Sequence, residues 1–279
     1  AINHCLPSFI KKNETTTVDL SGLNLTLLDP SFIWIEYQGT KIYADLFFNV
    51  TSSLVRTVWT IPDTIPDGVY DVKIQNGVTV QGLSTGKLYV NTQLNDISLV
   101  DSNWTNVLTS GASPTTNGNN IRALNFIQIQ IPYSNVQQRS LWKTHNFIQG
   151  NKDYEIRLRI VYNSSFPHGS SPMWYIGLSR TDSISDINSF IVDTNIPGSF
   201  TDFWIHRPTA GAYLHLVITK TGDKVAFKYY NNDMQLLAHS IQTLTDTVSP
   251  YCFYIHETSS VNGINNVKNY TFMYIKERV

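Results

Sequence analysis

Six residues in the second half of the chain have side chains suited to a hydroxyl-rich ligand: Trp142, Trp174, Tyr175, Trp204, His206 and Arg207. An aromatic face packs against the C–H groups of a sugar, and imidazole or guanidinium nitrogens bond its hydroxyls. In Phe203-Trp204-Ile205-His206-Arg207, strand alternation puts Phe203, Ile205 and Arg207 on one face and Trp204 and His206 on the other. If Phe203 and Ile205 face a core, Trp204 and His206 face a ligand. The competing reading of each tryptophan is that it fills the interior of a sandwich.

Catalytic chemistry has a weaker signal. Glycoside hydrolysis needs two carboxyl groups about 5–5.5 Å or about 6.5–9.5 Å apart. The nearest pattern is Asp153-x-Glu155, which reads as a solvated strand end. Asp202 could orient His206, whereas His256 and Glu257 are strand neighbours that point to opposite faces. No G-x-S-x-G, H-E-x-x-H or phosphate-binding glycine loop occurs. The expectation is therefore no catalytic residue, no enzyme and no metal. The one cofactor alternative is calcium, through Asp182 and Asp186 or through Asn231-Asn232-Asp233. These sets are thin for an ion that takes six to eight oxygens, and turn chemistry explains them equally well.

Composition narrows the classes further. Of 279 residues, 15% are charged, and the net charge is −1. Glutamate occurs only at positions 14, 36, 155, 257 and 277. Such a chain lacks the basic surface that nucleic-acid binding requires. It is poor in helix formers. No apolar run reaches the roughly 20 residues of a membrane-spanning helix. Cys5 and Cys252 are too few for a disulfide framework, and they read as an unpaired thiol and a buried apolar residue. Six Asn-X-Ser/Thr triplets, at Asn13, Asn24, Asn49, Asn103, Asn163 and Asn269, match the roughly five that chance alone supplies, so they say nothing about secretion.

The elements that must position these residues are strands. Period-two runs include Phe32 to Tyr37, Leu54 to Trp59, Tyr70 to Ile74, Tyr154 to Ile160, Leu214 to Thr219 and Tyr270 to Ile275. Asn76-Gly77, Thr221-Gly222-Asp223 and Asn231-Asn232 punctuate them. Asp182 to Phe190 is the one helix candidate. The polar stretch Asn91 to Asp96 divides the chain into domains at 1–93 and 94–279. The expected class is all-β, with two sandwiches in series.

Two resemblances give these sandwiches a type. Asp19-Leu20-Ser21-Gly22-Leu23-Asn24, then Trp59-Thr60-Ile61-Pro62, then Pro66-Asp67-Gly68-Val69-Tyr70-Asp71-Val72-Lys73-Ile74-Gln75-Asn76-Gly77, resemble the IPT/TIG family of Ig-like domains. That family implies a spacer or adhesion module. Tyr154 to Ile160, Trp174-Tyr175-Ile176-Gly177-Leu178-Ser179 and the hairpin Leu214 to Asn231 are similar to concanavalin-like and laminin-G-like jelly rolls. The pairing of a spacer with a jelly-roll head resembles viral or phage attachment spikes and adhesins. It implies an extracellular or virion-surface protein that binds a glycan or a cell-surface receptor, as a homo-oligomer, commonly a trimer, with neither nucleic acid nor membrane insertion. The alternatives are a jelly-roll polysaccharide lyase or glycoside hydrolase, and a structural capsid or assembly protein.

Overall fold

The computed structural model describes residues 2–28, 31–77, 79–82, 88–106, 122–131, 139–162, 173–179, 187–192, 213–244, 246–258 and 266–278. The chain is all-β: among the described residues there are strands and one short 3-10 turn at Asp101–Asn103, and no α-helix. It divides into two compact units. The first is Ala1–Asp96 with Asp233–Gln235 and Lys276–Val279, and the second is Ile97–Asn232 with Leu236–Ile275.

The first unit contains β1 (Ile2–Leu6), β2 (Phe9–Lys11), β3 (Thr15–Gly22), β4 (Ser31–Tyr37), β5 (Thr40–Tyr43), β6 (Leu46–Thr51), β7 (Leu54–Thr60), β8 (Gly68–Asn76), β9 (Thr79–Gly82), β10 (Leu88–Asn91) and β11 (Leu94–Asp96). One sheet has the order β1-β3-β7-β6. The other has the order β2-β10-β8-β4-β5, with β9 also paired to β8, along Lys73 to Asn76. Alternation sends Val18 and Leu20, Val55 and Trp59, Ile33 and Ile35, and Val72 and Ile74 into one shared core, so the sheets form a sandwich. The β4–β5 hairpin turns through Gln38 and Gly39, both with positive φ, which is the two-residue geometry that matches strand twist.

Thr57 sits inside this core. The Trp59 indole N–H donates to Thr57 Oγ1 at 2.7 Å, and the Thr57 hydroxyl donates to the Val18 carbonyl at 2.8 Å. Thr57→Val keeps the shape and removes both bonds. The expected cost is roughly 1–3 kcal/mol, because it leaves a buried indole donor without its acceptor. Urea unfolding of the two proteins measures it, and an unchanged midpoint would contradict the assignment.

Later parts of the chain complete this unit. β11 pairs antiparallel with the end of the last strand, Leu94 opposite Arg278, Asn95 opposite Glu277 and Asp96 opposite Lys276. Lys276 Nζ lies 2.8 Å from Asp96, and the Arg278 guanidinium stacks 4.3 Å above the Tyr89 ring. The Ser53 hydroxyl donates to the Asp233 carbonyl. The unit thus includes residues that the division at 93/94 assigns to the second domain.

The second unit contains β12 (Trp104–Asn106), β13 (Arg122–Ala123), β14 (Phe126–Ile131), β15 (Arg139–Thr144), β16 (Asp153–Tyr162), β17 (Met173–Ser179), β18 (Ile187–Val192), β19 (Tyr213–Thr221), β20 (Lys224–Tyr230), β21 (Leu236–Thr243), β22 (Cys252–Thr258) and most of β23 (Asn266–Arg278). Its larger sheet has the order β13-β14-β23-β16-β19-β20-β21 and its smaller sheet β12-β15-β22-β17-β18. Phe272 of the larger sheet meets Trp104 and Phe253 of the smaller, with ring centroids 5.8 and 5.2 Å apart. These contacts join the two sheets through one aromatic core. The helix expected at Asp182 to Phe190 is corrected where it falls on described residues. Ile187 to Phe190 lie in β18, where the β-branched run Ile187…Ile191-Val192 favours extended pairing with β17. Both cysteines are buried, and neither is in a disulfide.

Candidate ligand-binding site

The residues singled out for ligand contact in the second unit have different fates. Trp142 lies on β15, is 5% exposed and belongs to the core cluster with Ile148 and Phe253. Its ring fills the sandwich and is not offered to a ligand, because its strand position is one of the alternate inward ones. Trp174 and Tyr175 occupy β17 in register with Glu257 and His256 of β22. Trp204, His206 and Arg207 lie outside the described residues, as do Asp182 and Asp186. Asn231, Asn232 and Asp233 lie between β20 and β21. No set of three His, Cys, Asp or Glu side chains that could hold a metal occurs among the described residues.

Glu155 departs from its sequence reading. It is no solvated strand end: it is 1% exposed, on the face of β16 opposite the core residues Tyr154 and Ile156. The Tyr274 hydroxyl donates to its Oε1 at 2.8 Å. The register places Arg157 across Val217 from Lys228, and Arg159 across His215 from Tyr230, all on that same face. Burial lowers the pKa of Lys228, against the attraction of Glu155, and burial raises those of Tyr230 and Tyr274. Glu155, Arg157, His215 and Tyr230 are all buried, so this acid–phenol–cation set braces the sheet and does not meet a polymer from solvent.

An open site of suitable chemistry lies on the first unit. On β4 the inward residues are Ile33 and Ile35, so Phe32, Trp34 and Glu36 face outward. The register sets Trp34 between Tyr43 of β5 and Lys73 of β8, Phe32 opposite Gln75, and Glu36 between Lys41 and Asp71. The Trp34 indole N–H and Lys73 Nζ both donate to Glu36 Oε2, at 3.0 and 3.1 Å. These two bonds, the indole first, hold the Glu36 pKa below its ordinary value. Lys41 Nζ stands 4.9 Å above the Trp34 ring.

Phe32 and Tyr43 form a corner over this base. Their ring centroids are 6.5 Å apart with planes inclined at 74°, and the residues are 45% and 54% exposed. A cleft of about 390 Å³ opens beside them, lined by Phe32, Ile33, Tyr43, Ala44, Phe47 and Gln75. That volume lies in the roughly 300–1,000 Å³ range of small-ligand sites. The Gln75 amide nitrogen donates to the Gly77 carbonyl, which fixes the side chain beside the cleft. Two nearly perpendicular rings with an amide and a phenol can take the apolar face of a sugar and bond its hydroxyls.

No family model and no curated protein matches the chain. Among solved structures it is similar to peanut lectin with a 9mer peptide, at 6% identity and a TM-score of 0.42, over 67% of this chain and 98% of that one. It is similar to the CBM2 module of the Lactobacillus casei BL23 phage J-1 evolved Dit, at 11% identity and 0.43, over 66% and 96%. It is also similar to the VIP36 exoplasmic/lumenal domain in its Ca2+/Man3GlcNAc-bound form, at 12% identity and 0.40, over 65% and 87%.

Proposed function

We propose that this chain is a non-enzymatic surface attachment protein that binds a glycan or a glycosylated receptor, as the head of a viral or phage spike or fibre does. The observation that carries this reading is the exposed Phe32–Tyr43 corner with its cleft and its neighbour Gln75. Aromatic side chains of this size in solvent cost free energy in a free protein, and a ligand's apolar face recovers it. In this reading the first unit is an Ig-like sandwich that binds as well as spaces. The second is a jelly-roll head in which Trp174, Tyr175, Trp204, His206 and Arg207 offer a second contact surface. The reading includes a virion-surface or extracellular location and homo-oligomerisation. The row Leu46, Phe48 and Val50, exposed on the sheet-edge strand β6, supports the last of these.

A glycan array probed with the full chain tests the reading. Binding is expected, with a loss of about ten-fold or more in Tyr43→Ala, since removing a stacking ring costs on the order of 1.4 kcal/mol or more. Trp204→Ala in parallel reports on the second unit. Absence of binding to every glycan and to cells overturns the proposal, as does turnover of a polysaccharide by the same preparation.

A further inference from the structure

We infer that the cleft on the first unit takes an anionic pyranose, a sugar whose ring packs on Tyr43 while its carboxylate or sulfate pairs with Lys41. The inference rests on the glycan-binding reading and narrows its ligand.

The charges on this face are unequally used. Lys73 Nζ is 3.1 Å from Glu36, and the Trp34 indole N–H takes the same carboxylate oxygen. Glu36 is therefore already held by two donors. Asp71 lies on the far side of Glu36, two strands from Lys41. Lys41 is on β5, the edge of its sheet, and its amino group stands exposed over the Trp34 ring with no carboxylate oxygen within ion-pair distance among the described residues. Its charge adds a weaker attraction to Glu36, its cross-strand neighbour, but that carboxylate is bonded by the other two donors, so the Lys41 ammonium can still meet an incoming anion.

Spacing connects that cation to the cleft. Lys41 and Tyr43 are two residues apart on one strand face, about 6.8 Å along the strand. A pyranose lying on Tyr43 thus has an exocyclic acid group within reach of the Lys41 ammonium. Phe32 closes the opposite side of the ring site, and Gln75 stands at the cleft wall to bond a hydroxyl. Both the Tyr43 ring and the Lys41 ammonium already rest on Trp34, at 6.1 and 4.9 Å, so the two contacts share one platform and little side-chain freedom remains to be lost on binding.

The test measures full-chain binding to four immobilised probes: lactose, sialyllactose, a glucuronate-terminated glycan and a 6-sulfated galactoside. Sialyllactose or the glucuronate is expected to exceed lactose if the recognised anion is a carboxylate, and the sulfated probe to exceed it if a sulfate. Either outcome supports an anionic ligand. Lys41→Gln should lower anionic binding about 3- to 10-fold and leave lactose unchanged, while Lys41→Arg retains most of it. Raising NaCl from about 50 to about 500 mM should weaken the wild type and not Lys41→Gln. Lys41 is an exposed strand residue, so its variants fold. Lactose bound as well as the acidic probes, with no effect of Lys41→Gln, overturns this inference and leaves glycan binding standing. A loss of lactose binding in Tyr43→Ala would then confirm that the same cleft holds a neutral sugar. No binding to any probe overturns this inference, and the full glycan array with cell binding then decides the wider reading.

Discussion

Lys220→Met should lower the stability of the second unit by roughly 2–4 kcal/mol, the largest single-residue effect expected here. Lys220 is 1% exposed, at an inward position of β19 next to Ile218. Its ammonium donates to the carbonyls of Gly150, Lys152 and Gly222, at 2.7, 2.6 and 3.2 Å. One cation thereby pins the 150–152 turn to the β19–β20 hairpin. Methionine restores the apolar stem but leaves carbonyls without their donor, at about 1–3 kcal/mol for each that stays buried. Thermal unfolding should show the loss as a drop of about 2–4 °C per kcal/mol. A midpoint within about a degree of wild type would refute the role.

Charge adds a pH signature to this result. Burial lowers the Lys220 pKa from 10.5, against the attraction of Asp153. The unfolded chain therefore binds this proton more tightly than the folded one. Stability gained from this group rises with pH through the window between its lowered value and 10.5. The buried phenols of Tyr229, Tyr230 and Tyr274, whose pKa values are raised, act oppositely above pH 10. They are present in both proteins, so the difference between wild type and Lys220→Met isolates the lysine. That difference should widen as pH rises towards 10.5, because wild type gains from its lysine and the variant does not.

Gly150→Ala addresses the same turn by volume. A Cβ at this position would lie 2.5 Å from the Ser249 carbonyl oxygen and 2.8 and 2.9 Å from the Thr247 carbonyl group. All three atoms are backbone, and the segment that carries them is held by Asp246, whose Oδ1 accepts the Val248 and Ser249 amides. The Ile148–Tyr251 bridge fixes the other side. With no flexible side chain to yield, the turn itself must move, at roughly 1–3 kcal/mol or more. That movement also displaces the carbonyl that receives Lys220. The two substitutions should therefore be non-additive, the double variant falling short of the summed losses by about 0.5 kcal/mol or more. Strict additivity in urea melts would show that the turn and the lysine are independent.

The difference between what sequence shows and what it hides follows from where side-chain periodicity has force. The Tyr154 to Ile160 and Leu214 to Thr219 alternations are legible because every second residue enters one core. The same alternation says only that Glu155, Arg157 and His215 face away from that core, and outward reads as solvated until the structure covers them. Trp142 was open to either reading, since an isolated tryptophan carries no parity until its strand neighbours are fixed. The outward aromatic face of β4 has a usable signal. Phe32-Ile33-Trp34-Ile35 is apolar at both parities, more than one buried face requires, and the surplus is the outward pair Phe32 and Trp34. What no spacing revealed is the platform itself: Tyr43, Lys41, Lys73 and Gln75 come from other strands and meet it only through register.

The return of β23 to the first unit has a mechanical consequence. Apart from Asp233–Gln235, which belong to the first unit, residues 97–275 form an excursion whose entry and exit are clasped by the three pairs from Leu94–Arg278 to Asp96–Lys276. Tension drawn between β1 and the end of β23 is therefore borne first by the first unit and this clasp, and by the connectivity of the chain the second unit takes load only once the clasp opens. The clasp is loaded at the Leu94–Arg278 end and opens pair by pair, like a zip, with the Lys276–Asp96 ion pair last. In a force-extension trace the second unit should lengthen only after the clasp has opened, and cutting its ionic catch with Asp96→Ala should bring that lengthening to lower force.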